Sequence, residues 1–171
     1  IKYEELGAYI SLAKATLTEP SRVKRLSADP NDARMADLYK AYQIRLLQQN
    51  LIDFDDQIRL AVDLLQTQAD VRQAVQARYT HVLVDEYQDT NRAQYTLMRL
   101  LAAPQDNLFA VGDDAQGIYG FRAADIHNIL SFSQDYPHAR QIFLETNYRS
   151  TPGIVKLANN LIAFNARQIS K

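Results

Sequence analysis

The sequence has no cysteine, so it can build neither a disulfide framework nor a thiolate metal site. Histidine is scarce as well, and His81, His127 and His138 are too scattered for a zinc cluster. Only five glycines occur, at positions 7, 112, 117, 120 and 153, and none is followed by lysine. A GxxxxGKS/T loop, whose backbone amides and lysine cradle phosphates, is therefore missing from the chain. No apolar run approaches membrane-spanning length, and the first residues lack the charged, apolar and small-residue zones of a signal peptide. Nor is charge of one sign in excess: 19 basic against 20 acidic side chains give a net charge of −1. The strong basic surplus of many nucleic-acid binders is absent, although local stripes remain open. These absences imply a soluble protein of a reducing, cytoplasmic setting.

What is present is enough apolar material for a core: 47% of 171 residues, one ordinary domain or two small ones. The chain begins at Ile1 without a methionine, which suggests a piece of something longer. Residues 3–17 carry Leu6, Tyr9, Ile10, Ala13 and Leu17 at helical spacing, and Thr18-Glu19-Pro20 stops the pattern. A polar linker runs from Ser21 to about Asp32, and a second helix from Ala33 to Gln49. Asp53 to Leu65 opens with the acids of DFDD at a helix N-terminus, a structural role in which carboxylates meet the positive end of the helix dipole. A fourth helix covers Asp70 to Arg78.

After Tyr79 the texture changes. Strand-like runs at 81–84, 107–111 and 141–144 alternate with helical stretches at 92–101, 125–132 and 151–164. Alternation of this kind predicts an α/β fold with a parallel sheet and crossover helices. The first of these strands runs straight into acids in HVLVDEYQDTN. Strand carboxyl ends are where α/β sheets collect ligands. An Asp there can hold Mg²⁺ while a neighbouring Glu activates a water for attack on a phosphate. The competing structural reading is that these acids, with Asp89-Thr90-Asn91, cap the helix that follows. At the second strand end GDDAQGIYGFRAAD gathers Asp113, Asp114, Gln116, Tyr119, Phe121 and Arg122, with three glycines that permit tight turns. The third leads into ETNYRSTP, with Tyr148 and Arg149 just beyond it.

Together VLVDEYQDTNRAQ, VGDDAQGIYGFRAAD and LETNYRS resemble motifs II, III and IV of the UvrD/Rep family of superfamily 1 DNA helicases, in that family's order and spacing. NLIDFDDQI and, more weakly, ISLAKATL extend the resemblance over most of the chain. It implies an ATP-dependent 3′-to-5′ DNA helicase of repair or replication, with this chain an internal fragment of the motor. Asp85 would hold the Mg²⁺ of Mg-ATP and Glu86 would activate the hydrolytic water. Gln116 would sense the γ-phosphate, Arg149 would act on it as an arginine finger, and Tyr148 would lie against the adenine. Tyr119, Phe121 and Arg122 would face single-stranded DNA, where aromatic stacking gives grip without sequence preference. Ala115, Gly117, Phe121 and Ala123 stand where an acid, a serine, a tryptophan and a glycine are frequent, differences that bear on loop geometry and DNA affinity.

The resemblance also divides the chain. Residues 1–79 correspond to the end of the helical 1B insertion, 80–145 to the second half of a RecA-like motor domain 1A, and 146–171 to the start of domain 2A. With the phosphate loop and later motifs missing, the isolated chain is expected to be inactive and, with an open sheet edge, to self-associate. Its partners would be single-stranded DNA and single/double-strand junctions. Three other readings stay open: a helicase subunit of a recombination nuclease, a non-catalytic DNA-binding remnant, and a metal-dependent nuclease using Asp85, Glu86 and Asp113.

Overall fold

The computed structural model describes residues 1–22, 30–120 and 123–165. Helices come first, among them α1 Tyr3–Ala15, α2 Pro30–Gln48, α3 Phe54–Thr67 and α4 Ala69–Gln76. β1 Val82–Val84, α5 Arg92–Ala102 and β2 Leu108–Ala110 follow, then α6 His127–Leu130, α7 Phe132–Asp135 and α8 Pro152–Ile162. The expected linker at 21–32 falls largely outside the described residues, and α2 already begins at Pro30. Among the described residues no helix is long and apolar enough to cross a membrane.

Local chemistry sets the helix ends. Thr16 closes α1 by donating its hydroxyl to the Leu12 carbonyl at 2.8 Å, and Leu17 then turns into the left-handed region at φ 55°. Asp53 caps α3, its Oδ1 accepting the Asp56 N–H at 2.8 Å. Asn91 and Gln94 cap α5 reciprocally: Asn91 Oδ1 accepts the Gln94 N–H at 2.9 Å, and Gln94 Oε1 accepts the Asn91 N–H at 3.0 Å. Asn91 is therefore the cap of the helix after the acidic strand end, and Asp85 and Glu86 are free of that duty.

Two apolar clusters form among the described residues. In the helical segment Ile10 and Ala13 of α1 pack on Tyr39 of α2, with Leu6 and Tyr9 alongside. In the α/β segment Tyr87, Met98 and Ile129 form the centre, with Val84, Ala110 and Phe132 against them. Tyr87 meets Phe132 edge to face, ring centroids 5.3 Å apart. α3 packs most extensively on α5, and α1 also reaches α5, so the helices lean directly on the α/β segment. Ala93 and Ala102, both buried, let α5 come close.

The sheet is smaller than the sequence pattern suggests. β1 and β2 pair in parallel, Val82 with Leu108 through Val84 with Ala110, and they are the two strands among the described residues. Residues 141–144, expected as a third strand, have no regular structure, and Ile142, Phe143 and Leu144 are exposed. β-propensity marks a segment that suits a pleated, half-buried surface. It does not supply the ladder partner, and 141–144 have none. The expected helix at 125–132 is likewise two short ones, broken at Ser131, whose φ of −92° and ψ of 0° leave the helical range. One face of the sheet is open, with Leu83 and Phe109 exposed at 74% and 60%. No residue of α8 is buried.

Candidate functional site

The carboxyl ends of β1 and β2 lie side by side because the ladder continues past the strands. Val111 N–H donates to the Val84 carbonyl at 2.8 Å, and Tyr87 N–H to the Val111 carbonyl at 2.9 Å. This sets Asp85 and Glu86 beside Gly112 and Asp113. Both acids are exposed. Asp85 Oδ1 accepts the Glu86 N–H at 2.9 Å, a local contact that commits one of its two carboxylate oxygens.

Glu86 sits in the left-handed region, φ 51° and ψ 44°, a costly conformation for a residue with a Cβ. Three hydrogen bonds hold it there. Besides the bond to Asp85, its carbonyl accepts the Asp89 N–H at 2.9 Å, and its Oε2 accepts Gln88 Nε2 at 2.7 Å. The turn beyond is fastened to α6: Asn128 Nδ2 donates to the Thr90 carbonyl at 3.0 Å, and the Asp125 N–H to the same oxygen at 3.0 Å. The conformation is thus fixed by packing and polar contacts on both sides.

From Glu86 the polar contacts run on into the β2 loop. Gln88 Oε1 accepts the Asp113 N–H at 3.0 Å, and Asp113 Oδ2 accepts Gln116 Nε2 at 3.0 Å. Glu86, Gln88, Asp113 and Gln116 therefore form one hydrogen-bonded chain, three members of which bear on the predicted site. Gln88 was missed by the sequence analysis; its signal is a glutamine between buried Tyr87 and Thr90, in a short turn that faces the core.

Gly112 and Gly117 act by closeness rather than by turning, for no described glycine has a positive φ. A Cβ on Gly112 would come 2.8 Å from Gln88 Oε1 and 3.0 Å from Ile129 Cδ1. One on Gly117 would run into Ile126 Cδ1, so a serine there would require the tip of the Ile126 side chain to move aside. The left-handed turn falls instead on Ala123, at φ 64°. This gives a physical reason for the glycine usual at that position.

Tyr119 is exposed, while Phe121 and Arg122 lie outside the described residues. Tyr148 is 93% exposed and Arg149 is exposed, its backbone N–H held by Asn147 Oδ1 at 3.0 Å. With no strand at 141–144, nothing carries these two to the ends of β1 and β2, so the structure provides two adjacent strand ends where three were expected.

The donor set suits a Mg²⁺ ion bound through substrate. Mg²⁺ keeps several waters and takes one or two carboxylates plus phosphate oxygens, and Asp85 offers one exposed, hard oxygen. Among the described residues no group of three His, Asp or Glu could form a protein cage for a metal.

A second acidic cluster, Asp53 and Asp56, is chemically the opposite. Lys14, fully buried on α1, reaches Asp53 Oδ2 at 2.5 Å and Asp56 Oδ2 at 2.9 Å. Asp56 Oδ1 also accepts Arg59 Nε at 3.0 Å and Gln43 Nε2 at 3.0 Å. Burial pushes the Asp53 carboxyl up, but hydrogen bonds from Lys14, the Asp56 N–H and Tyr42 outweigh this and hold it below its ordinary value. Burial and the bond to Asp53 push the Tyr42 hydroxyl up to about 12. It therefore remains a donor.

A helical half followed by a parallel β pair is compatible with an α/β protein, and sequence comparison supplies the family. The family model described as the UvrD/REP helicase N-terminal domain matches residues 2–137, and the chain belongs to that helicase family. Residues 2–137 are thus N-terminal-domain sequence, which corrects the expectation of an internal fragment. Among individual proteins the chain is similar to ATP-dependent DNA helicase PcrA of Staphylococcus epidermidis (strain ATCC 35984). The two are 45% identical over 166 residues, 97% of this chain and 23% of the relative. PcrA of Staphylococcus aureus, strains Mu50 and NCTC 8325, matches with the same identity and coverage. The chain spans about a quarter of the length of these curated relatives.

Proposed function

We propose that this chain is part of the motor of an ATP-dependent DNA helicase that moves 3′ to 5′ on single-stranded DNA and opens duplex at junctions, in repair or replication in the cytoplasm. The observation that carries this reading is the acidic end of β1. Two exposed carboxylates stand there with no capping duty, one of them in a strained conformation tied to Gln116. Bound Mg-ATP supplies a polarised γ-phosphate. Asp85 would hold the metal and Glu86 would take a proton from the attacking water. Gln116 would report the state of the phosphate to the loop bearing Tyr119, Phe121 and Arg122, the residues assigned to DNA.

Tyr148 and Arg149 belong to the same site in this reading, brought to it only in the full-length polypeptide. The partial RecA-like sheet and the division at residues 79 and 145 belong to the proposal too. The isolated chain, without a phosphate loop, would not turn over ATP. Its open sheet face supports self-association, so sedimentation should show a mass that rises with concentration, and less so for Phe109→Ser. A concentration-independent monomer would rule that out.

The test of function is ATP hydrolysis by the full-length polypeptide, with and without single-stranded DNA. Glu86→Gln should lower DNA-stimulated turnover by about 100-fold or more, with melting temperature unchanged. Turnover equal to wild type in Glu86→Gln would remove the proposed role of the strand end.

A further inference from the structure

Gln88 is the polar residue that the turn Tyr87–Asp89 sends into the core, 1% exposed. Its two polar atoms serve two different loops. Nε2 donates to Glu86 Oε2 at 2.7 Å, and Oε1 accepts the Asp113 N–H at 3.0 Å. The amide has one orientation only. A carboxylate accepts and a backbone N–H donates, so a flipped amide would set oxygen against oxygen and N–H against N–H. Gly112 closes the space behind it, since a Cβ there would lie 2.8 Å from Oε1 and 3.3 Å from the Gln88 nitrogen.

We propose that Gln88 is a positioning residue for hydrolysis: it fixes the Glu86 carboxylate and locks it to the Asp113–Gln116 loop, so that base and phosphate-sensing loop move as one unit. The inference rests on the reading of Glu86 as the base. Glu86 is exposed, in a strained backbone conformation, and its hydrogen bond to Gln88 ties its carboxylate to the core. A buried amide satisfied at both ends is stable, whereas loss of either partner leaves a desolvated group. Misplacing a reacting group by about 1 Å can cost about 100-fold in rate. A bridge of this kind therefore acts on turnover rather than on ATP binding.

The experiment compares Gln88→Glu, Gly112→Ala, Glu86→Gln and the double variant Glu86→Gln/Gln88→Glu in the full-length polypeptide. kcat and KM for ATP are read with saturating single-stranded DNA, and slow variants are followed in single turnover. Gln88→Glu keeps size and an acceptor for the Asp113 N–H but turns a carboxylate toward Glu86. Its kcat should fall by about 10- to 100-fold, with KM within about twofold. In the Glu86→Gln background the same change should cost nothing further, because the two act through one group. A purely structural role would add its loss to that of Glu86→Gln, and that result overturns the proposal. Should Gln88→Glu not fold, Gly112→Ala carries the same test, as it displaces an otherwise intact Gln88. Wild-type turnover in Gln88→Glu beside an inactive Glu86→Gln overturns the positioning role alone; wild-type turnover in Glu86→Gln overturns the base reading itself.

Discussion

The chain holds two acidic clusters in opposite states. Asp53 and Asp56, in the helical segment, are neutralised from within by fully buried Lys14 and by Arg59, with Gln43 and Tyr42 filling the remaining valences. Asp85 and Glu86, at the end of β1, are exposed, and their carboxylates accept from two neutral donors among the described residues, the Glu86 N–H and Gln88 Nε2. Proximity of carboxylates in sequence is thus a poor guide to purpose. What separates them is where the positive charge comes from: the chain itself supplies it for DFDD, whereas in the proposed function the strand end receives it from a cation carried in by substrate.

Removing the internal cation should give the largest effect. Lys14→Met leaves half-buried Asp53 without its ionic partner and takes one of two cations from buried Asp56, and should cost about 3 kcal/mol of unfolding free energy, read by urea denaturation. Adding Asp53→Asn should restore part of it, since the unpaired charge is then gone. A Lys14→Met protein as stable as wild type would mean that the cluster is a surface feature and the comparison is false. A smaller change sharpens the other side. Ala123 stands at φ 64° in the loop after the second strand end, and a left-handed conformation costs a residue with a Cβ about 1–2 kcal/mol. Ala123→Gly should therefore raise stability by about 1 kcal/mol or slightly less, because glycine gives back unfolded-state entropy. No gain would show that the strain there is relieved elsewhere.

The helices were legible because their signals are local. Apolar spacing placed Ile10 and Ala13 inward, and Asp53 and Asn91 are caps that a reader can find from residue type and position; on the second helix the spacing pointed to Leu38 and Tyr42, which are exposed, while Tyr39 is the buried one. β1 and β2 were legible for the same reason, each a short apolar run ending in acids or glycine. The strand at 141–144 was not, because a strand is made by its neighbour and the sequence of one segment does not say whether that neighbour is at hand. For the same reason the pattern put Tyr148 and Arg149 at a common edge that the described structure does not build. Gln88 escaped notice because its importance lies in two hydrogen bonds to groups 2 and 25 residues away. Ala123 shows the reverse: a departure from a familiar pattern that became intelligible once its φ was known.

The most direct measurement is Mg²⁺-dependent ATP turnover per folded molecule for Asp53→Asn and Asp85→Asn in the full-length polypeptide. The two substitutions are chemically identical and fall in the two clusters. Turnover should persist in Asp53→Asn, whose loss appears as stability, and should collapse in Asp85→Asn at unchanged stability. Equal turnover in the two, or loss in Asp53→Asn alone, would contradict the division between an internally neutralised cluster and one kept open for substrate.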